Sequence, residues 1–393
     1  MKGIKSVCLI LMIGLLLACS SRQQFDVIII ENNLDIDRSN EVVELSKEIL
    51  KVTVLDKTVG IKDRKSGELL LTQLVDANAD GIFDLVLVQP HVPANAKIEL
   101  EVVVVSLEEQ PTAADLCYSR FVPERTDDYT WENDKVAFRV YGPTAQMLQE
   151  SGKPGGTLSS GVDAWLKKVS YPIIDKWYKE TMIDKTGSYH EDTGEGLDNF
   201  HVGVSRGVGG LAVKKNDEFY YSKNYNKWKT LTTGPLRTSF YLEYESWDAA
   251  GLKITENKVI SLDLGSNLSK FETKISGTEA VYAGLTLHEK DGVTIQNTNW
   301  ICYWQPHADS EIGTAIVADN KTFLSSETYD VETKDLSNAY AELKVSENKV
   351  VYYAGFAWKE SNQYPTKESW ISYLNTFSKQ INNPLRVFSE KSY

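Results

Sequence analysis

Cysteine is scarce in this chain: four in 393 residues, at positions 8, 19, 117 and 302. None stands in a Cys-x-x-Cys pair or beside histidine at ligand spacing, which excludes a zinc ribbon, a thiol redox pair and a disulfide-built scaffold. Methionine is equally rare at four, and there are only five histidines. No Gly-x-Gly-x-x-Gly stands between a strand and a helix, and no Walker-type phosphate loop occurs, which removes dinucleotide enzymes and P-loop NTPases. Basic residues fall short of acidic ones, 42 Lys and Arg against 55 Asp and Glu, for a net charge of −13. Such a surface repels nucleic acid and bulk polyanions, so an anionic substrate needs a pocket with its own Arg or Lys. Beyond residue 17 no apolar run is long enough to cross a bilayer.

The first residues set the expected compartment. Lys2 and Lys5 precede an apolar run over 7–17 that ends in Leu16-Leu17-Ala18-Cys19. That run is too short to span a membrane and has the length of a signal-peptide core. Its ending resembles the bacterial lipobox, which implies that 1–18 is removed and Cys19 lipidated. The membrane partner is then the N-terminal lipid alone, with the protein in the periplasm. No acidic export signal follows Cys19 in Ser20-Ser21-Arg22-Gln23-Gln24, which favours a periplasm-facing anchor on the outer membrane. Cys117 and Cys302 remain, and their pairing in an oxidising compartment depends on a separation that sequence does not show.

About 375 mature residues exceed one ordinary core, so two domains are expected. The 20 Tyr and 9 Trp favour strands and stack well on sugar faces. Segments 25–31, 41–45, 51–55, 69–74, 83–89 and 98–106 are rich in Val, Ile and Leu and are separated by Asn, Asp, Gly and Pro turns. This predicts a smaller β-sandwich over 25–107. A larger strand-rich domain follows over 125–393. Within it, Val162, Trp165, Leu166 and Val169 fit one helix, and Ile174, Trp177, Tyr178 and Met182 fit another. Trp370, Leu374, Phe377 and Ile381 mark a closing helix that stops before Pro384.

Five constellations can carry chemistry. Asp76, Asn78, Asp80 and Asp84 take positions 1, 3, 5 and 9 of a calcium loop with Gly81 at 6, but position 12 is Leu87 where a Glu belongs. A structural calcium site is one reading and a β-turn of Asp, Asn and Gly the other; no cofactor is required. Arg139 lies on a strand, where its guanidinium is either a clamp for a carboxylate or sulfate on a concave face or an ordinary surface cation. The segment from Ser188 to Gly203 holds His190, Glu191, Asp192, Glu195, Asp198 and His201 on glycine-rich backbone, the composition of a functional loop. It continues through Arg206 among Gly203, Gly207, Gly209 and Gly210, which permit close backbone approach. Gly234-Pro235-Leu236-Arg237 leads into a strand, and His288-Glu289 is followed by Trp300, Tyr303, Trp304 and His307. His91, alone, is assigned a structural role.

Taken together, the Asp76 to Asp84 loop, the stretch from Trp131 to Gly142, Tyr189-His190-Glu191-Asp192 with Gly194-Glu195-Gly196-Leu197-Asp198, Gly234 to Arg237 and the Trp370 helix resemble one family. It is the secreted "domain of unknown function 4861" family of Bacteroidota, found beside uronic-acid-processing enzymes in polysaccharide-utilisation clusters. Thr193 stands where the pattern calls for His or Arg. The resemblance covers about 25–390 and implies a mainly β, galactose-mutarotase-like sandwich acting on carbohydrate, preceded by the smaller β-sandwich region. Some relatives look like dehydratases that form an unsaturated uronic acid at a non-reducing end. On that expectation the partner is an acidic oligosaccharide and the enzyme a carbon–oxygen lyase. Arg139, Arg206 or Arg237 would steady the uronate carboxylate, with Trp300 and Trp304 against the sugar. His190 or His201 would act as base, and His288, His307 or Tyr303 as acid, with Glu191 or Glu195 orienting a histidine. Two alternatives stay open: a glycosidase pairing Glu191 with Glu195, and a non-catalytic glycan-binding lipoprotein.

Overall fold

The computed structural model describes residues 26–391. Residues 1–18, read above as a signal peptide, and Cys19 lie outside the described residues. The protein is mainly β, built from antiparallel sheets. Near the N-terminus, strands Val27–Glu31, Lys97–Val104 and Val59–Asp63 form one sheet, and Val43–Ser46, Leu85–Val88 and Thr72–Val75 the other. Ile28, Ile30, Leu45, Ile61, Val86 and Leu100 fill the space between them and are fully buried. The strand expected at 51–55 is not formed. Ser46 Oγ accepts from the Ile49 backbone N–H and caps the short helix Lys47–Leu50, and Lys51 leaves it in the left-handed region, φ 56°. The chain therefore turns, and the next strand begins at Val59. The small sheet is completed by Arg386–Glu390, which pairs with Val27–Glu31 from the far end of the sequence.

The rest of the chain stacks three sheets around one core. Tyr118–Val122, Asp128–Glu132, Ala137–Val140, Asp163–Lys167 and Gly196–Leu197 make the first. The second runs Glu218–Tyr220, Val208–Lys215, Ala280–Thr286, Asn338–Lys344, Phe323–Tyr329. The long sheet extends from Tyr225–Thr232 through Leu252–Asp263 and Lys349–Trp358 to Trp300–His307 and Val293–Gln296. Trp131 and Phe138 of the first sheet stack at 5.3 Å, and Phe138 meets Phe356 of the long sheet edge-on at 5.3 Å, so aromatic side chains join the layers.

Two helix expectations divide. Residues 163–167 are a strand, paired with Arg139, Phe138 and Ala137. Every side chain in it is buried, so it shows no alternation, and an apolar run of this kind mimics a helical face. The second prediction corresponds to helix Ile174–Tyr178 and the π-helical turn after it. The closing helix, Lys367–Asn382, is started by a capping box between Thr366 and Ser369. Its Trp370 and Leu374 pack on the outer face of the long sheet, over Trp300, Cys302 and Trp304.

Candidate functional site

The segment 188–206 threads from the first sheet to the second. Tyr189 is its anchor: buried, with its ring 5.1 Å from Trp165 and 5.9 Å from Tyr178. The loop closes where the Asp198 backbone N–H donates to the Tyr189 carbonyl at 2.7 Å. Most of its acidic groups fasten it down. Glu195 accepts from Tyr171 Oη at 2.6 Å, Lys176 Nζ at 2.8 Å and Trp177 Nε1 at 3.0 Å. Burial pushes its pKa up, but those three donors outweigh burial and hold it below the usual carboxylate range. Asp192 accepts from the backbone N–H groups of Gly194 and Gly196 and pairs with Lys168 at 2.5 Å. Gly196 has φ 111°, and a Cβ there would sit 1.9 Å from the Leu166 carbonyl oxygen. Gly207 is similarly constrained, with φ 58° and Val162 O at 1.9 Å from any Cβ. Only Glu191 of the loop's glutamates stays exposed.

What the loop presents is histidine. His190 is exposed, and its Nδ1 lies 2.5 Å from the Asp198 carbonyl oxygen, so Nδ1–H donates there and Nε2 faces outward. The next residue, Asn199, places Oδ1 2.9 Å from His307 Nε2, which leaves His307 Nδ1 as its free nitrogen. The Phe200 ring packs 4.6 Å from His288 and 6.0 Å from His307, and those two imidazoles are 5.8 Å apart. The carbonyl of His201 accepts from His288 Nε2 at 2.8 Å. The His201 side chain faces solvent, with Nε2 held by both carboxylate oxygens of Asp335 at 3.1 Å. Four consecutive residues, 198 to 201, thus touch or carry four of the chain's five histidines, and three peptide steps span at most about 11 Å.

The four differ in their freedom. His288 adopts φ 44°, in the left-handed region that residues other than glycine visit infrequently, and both nitrogens have partners. With Nε2–H serving the His201 carbonyl, its Nδ1 lone pair faces the Gln305 amide at 3.1 Å. That tautomer calls for the amide NH₂ on the imidazole side, and Gln305 Nε2 is the buried atom left without a partner when the carbonyl oxygen is placed there. Burial lowers the His288 pKa against the pull of the His201 carbonyl and Gln305. His307 is lowered further, to about 4, by burial first and by His288 second. Both shifts favour the neutral imidazole, whose remaining N–H is a far weaker acid than imidazolium, so neither suits the acid's role. Tyr303 is spent as well: its hydroxyl accepts from Gly292 N at 2.9 Å and donates to Leu287 O at 3.2 Å, fixing the loop that carries His288.

The arginines take other places than expected. Arg139 is buried on both faces of its strand and gives its donors to Asp163 and Asp198 at 2.5 to 2.9 Å, with Asp128 at 3.7 Å. Burial raises Asp128 to about 6 and Asp163 well above the usual range. Arg206 is fully buried, 3.9 Å from the Tyr221 ring, and bonds Ser160 Oγ and the carbonyls of Val204 and Leu211. Arg237, on the long sheet, pairs with Glu44 of the N-terminal strand Val43–Ser46 and with Asp263. Trp300 and Trp304 lie under the closing helix, 2% and 5% exposed, with their indole N–H groups on Asn375 and Glu311. Strand alternation is the reason: Trp300, Cys302 and Trp304 share the helix-covered face. Neither ring offers a sugar an open face. Cys117 and Cys302 are separate free thiols, both buried.

The Asp76 loop is an Asx-type turn. Asp76 accepts from Asp80 N and Gly81 N, Asn78 from Asp80 N, Asp80 from Ile82 N and Asp84 from Ala77 N. Among the described residues no group of three or more His, Cys, Asp or Glu side chains is placed to hold a metal ion.

Sequence reasoning passed over Asn199, Gln305 and Asp335, which orient the histidines. Asp335 is 134 residues from His201, and nothing in its local sequence marks it. Two cations near the loop were also passed over. Arg125 donates to Tyr189 Oη at 3.4 Å, and Lys168 stands 5.6 Å from the Trp358 ring while pairing with Asp192.

A family model described as "Domain of unknown function (DUF4861)" matches residues 30–387. "Uncharacterized protein P7" of Formosa agariphila is 52% identical over 366 residues, covering 92% of both chains. Among solved structures, a glycosyl hydrolase family 38 protein from Enterococcus faecalis aligns with TM-score 0.48 at 10% identity, over 94% of this chain and 48% of its own. An alpha-mannosidase from Enterococcus faecalis V583 aligns with TM-score 0.44 at 10% identity, over 94% and 46%. The chain spans about half the length of those two solved chains.

Proposed function

The chain belongs to the family described as a domain of unknown function, DUF4861, so its chemistry has to be drawn from its own residues, and we propose that it is a lipid-anchored periplasmic enzyme that eliminates water from a terminal uronic acid of an acidic oligosaccharide. The observation that carries this reading is the gathering of four histidines along residues 198 to 201, two of them exposed with one nitrogen free. Elimination needs proton transfer at two points and no nucleophile, and imidazole supplies both. On this reading the fold is the galactose-mutarotase-like sandwich that the resemblance implies.

His201 is the base in this scheme. Asp335 holds Nε2–H, which turns the Nδ1 lone pair toward a substrate, the same logic by which a carboxylate orients a catalytic imidazole. Nδ1 takes the C5 proton, the C5–H electron pair forms the C4=C5 bond, and the C4–O bond breaks. His190 is the acid: its Nδ1 is held by the Asp198 carbonyl, the Asp198 carboxylate 3.8 Å away gives an imidazolium a counter-charge, and Nε2–H protonates the departing hydroxyl, which leaves as water. Arg125, whose guanidinium reaches only the Tyr189 and Thr126 hydroxyls among the described residues, replaces the internally paired arginines as partner of the uronate carboxylate. His307 and His288 stay neutral and shape the floor.

A hydrolase pairing Glu191 with Glu195 is disfavoured by the three donors that already occupy Glu195. Mass spectrometry of the products tests the choice. Elimination gives the substrate mass less one water with the chain intact, whereas hydrolysis gives two shorter chains and binding alone gives neither.

A further inference from the structure

A cleft of about 630 Å³ opens where the 37–44 loop of the small sandwich, the outer face of the long sheet and the closing helix meet. None of the histidines lines it. One wall is a continuous run of rings: Tyr353 meets Phe377 edge-on at 5.0 Å, Phe377 lies 5.9 Å from Tyr373, and Tyr373 lies 5.0 Å from Tyr364. The Tyr373 hydroxyl accepts from the Asn267 backbone N–H at 3.2 Å, while burial raises the Tyr364 phenol with no hydrogen bond to offset it.

The other wall is charged, with its cations already matched. Arg237 is held by Glu44 and by Asp263, whose Oδ2 it reaches at 2.9 Å, and Lys270 lies 3.2 Å from Glu272. Asp37, Glu41, Glu44 and Asp263 line the space against Arg237 and Lys270 alone, so the cleft carries excess negative charge and has no unmatched cation for an anion. Ring faces on one side and hydrogen-bond acceptors on the other suit a ligand with an apolar C–H face and a rim of hydroxyl donors. The volume falls in the range that holds a ligand of disaccharide size.

We infer that this cleft is a second saccharide site that binds a neutral sugar unit, separate from the histidine segment that takes the acidic terminus. It is independent of the elimination chemistry, because it requires only binding. Isothermal titration of the full chain with maltotriose, xylotriose, mannotriose and cellotriose, and with trigalacturonate as the acidic comparison, tests it. At least one neutral trisaccharide binds at millimolar concentration or below. Thr376→Trp, which fills the cleft from a half-buried helix position, and Tyr364→Ala each weaken that binding by about ten-fold or more, with melting temperatures confirming that the variants fold. His201→Gln leaves it unchanged, and trigalacturonate does not displace it. Absence of binding by every neutral trisaccharide overturns the inference. So does binding that survives Thr376→Trp and Tyr364→Ala, or that disappears in His201→Gln.

Discussion

His201 and Asp335 carry the largest expected single-residue effect. His201→Gln keeps a hydrogen-bonding side chain but removes a base of the right strength, and general-base catalysis contributes about 10²- to 10⁴-fold. Turnover on a uronate-terminated oligosaccharide falls by that factor with KM little changed, read from steady-state kinetics. Asp335→Asn acts through His201: it loosens the imidazole and shifts the pH profile of kcat, a change that a merely structural role would not produce. Arg139 behaves oppositely. It sits among Asp128, Asp163 and Asp198 in the interior, and removing one member of a buried ionic network costs about 3–5 kcal/mol. Arg139→Ala therefore lowers stability in chemical denaturation by that amount.

Elements place these residues, and the loop's glycines show how. A methyl group at Gly196 meets the Leu166 carbonyl at 1.9 Å in a backbone conformation that L side chains rarely adopt. Gly196→Ala displaces the turn that carries Glu195 and Asp198, so activity drops while the melting temperature falls only modestly. The closing helix is a different case: Trp370→Ala opens a cavity over the long sheet, and such truncations cost about 3–5 kcal/mol. This helix was legible in the sequence because Trp370 and Leu374 recur on one face between Thr366 and Pro384. The segment at 163–167 was not, because a strand buried on both faces has no period to detect. The histidine segments were legible from composition alone. The fate of the arginines and of Trp300 and Trp304 was not, since sequence parity gives the face of a strand and not what covers that face. Asp335 was invisible for a related reason: its role comes from a contact across 134 residues.

At the scale of the whole molecule, the first and last of the described strands are tied together. Arg386–Glu390 supplies an edge strand to the sheet that begins with Val27–Glu31, so the closing helix and the small sandwich are joined covalently and by backbone pairing. The molecule also titrates as a unit. Unfolded His307 binds a proton as pH falls through about 6.5, whereas in the folded protein it waits until about 4. The unfolded state therefore gains protons first, and this histidine withdraws stability as pH falls across that window. Asp128, raised to about 6 in the folded state, acts in the other direction between its folded value and its ordinary one of 3.8. The His307 contribution is isolated by comparison: wild type loses more melting temperature between pH 6.5 and 4 than His307→Gln does, measured by scanning calorimetry.

On the proposed scheme, histidines gathered along residues 198 to 201 drive elimination from a uronic acid. Oligosaccharides with a saturated terminal uronate, incubated with the enzyme and followed by ultraviolet absorbance and reducing-end assay together, test it most directly. Wild type should generate the absorbance of the conjugated unsaturated uronate with no new reducing ends, and His201→Gln should generate almost none. Reducing ends without that absorbance, or absorbance undiminished in His201→Gln, would contradict it.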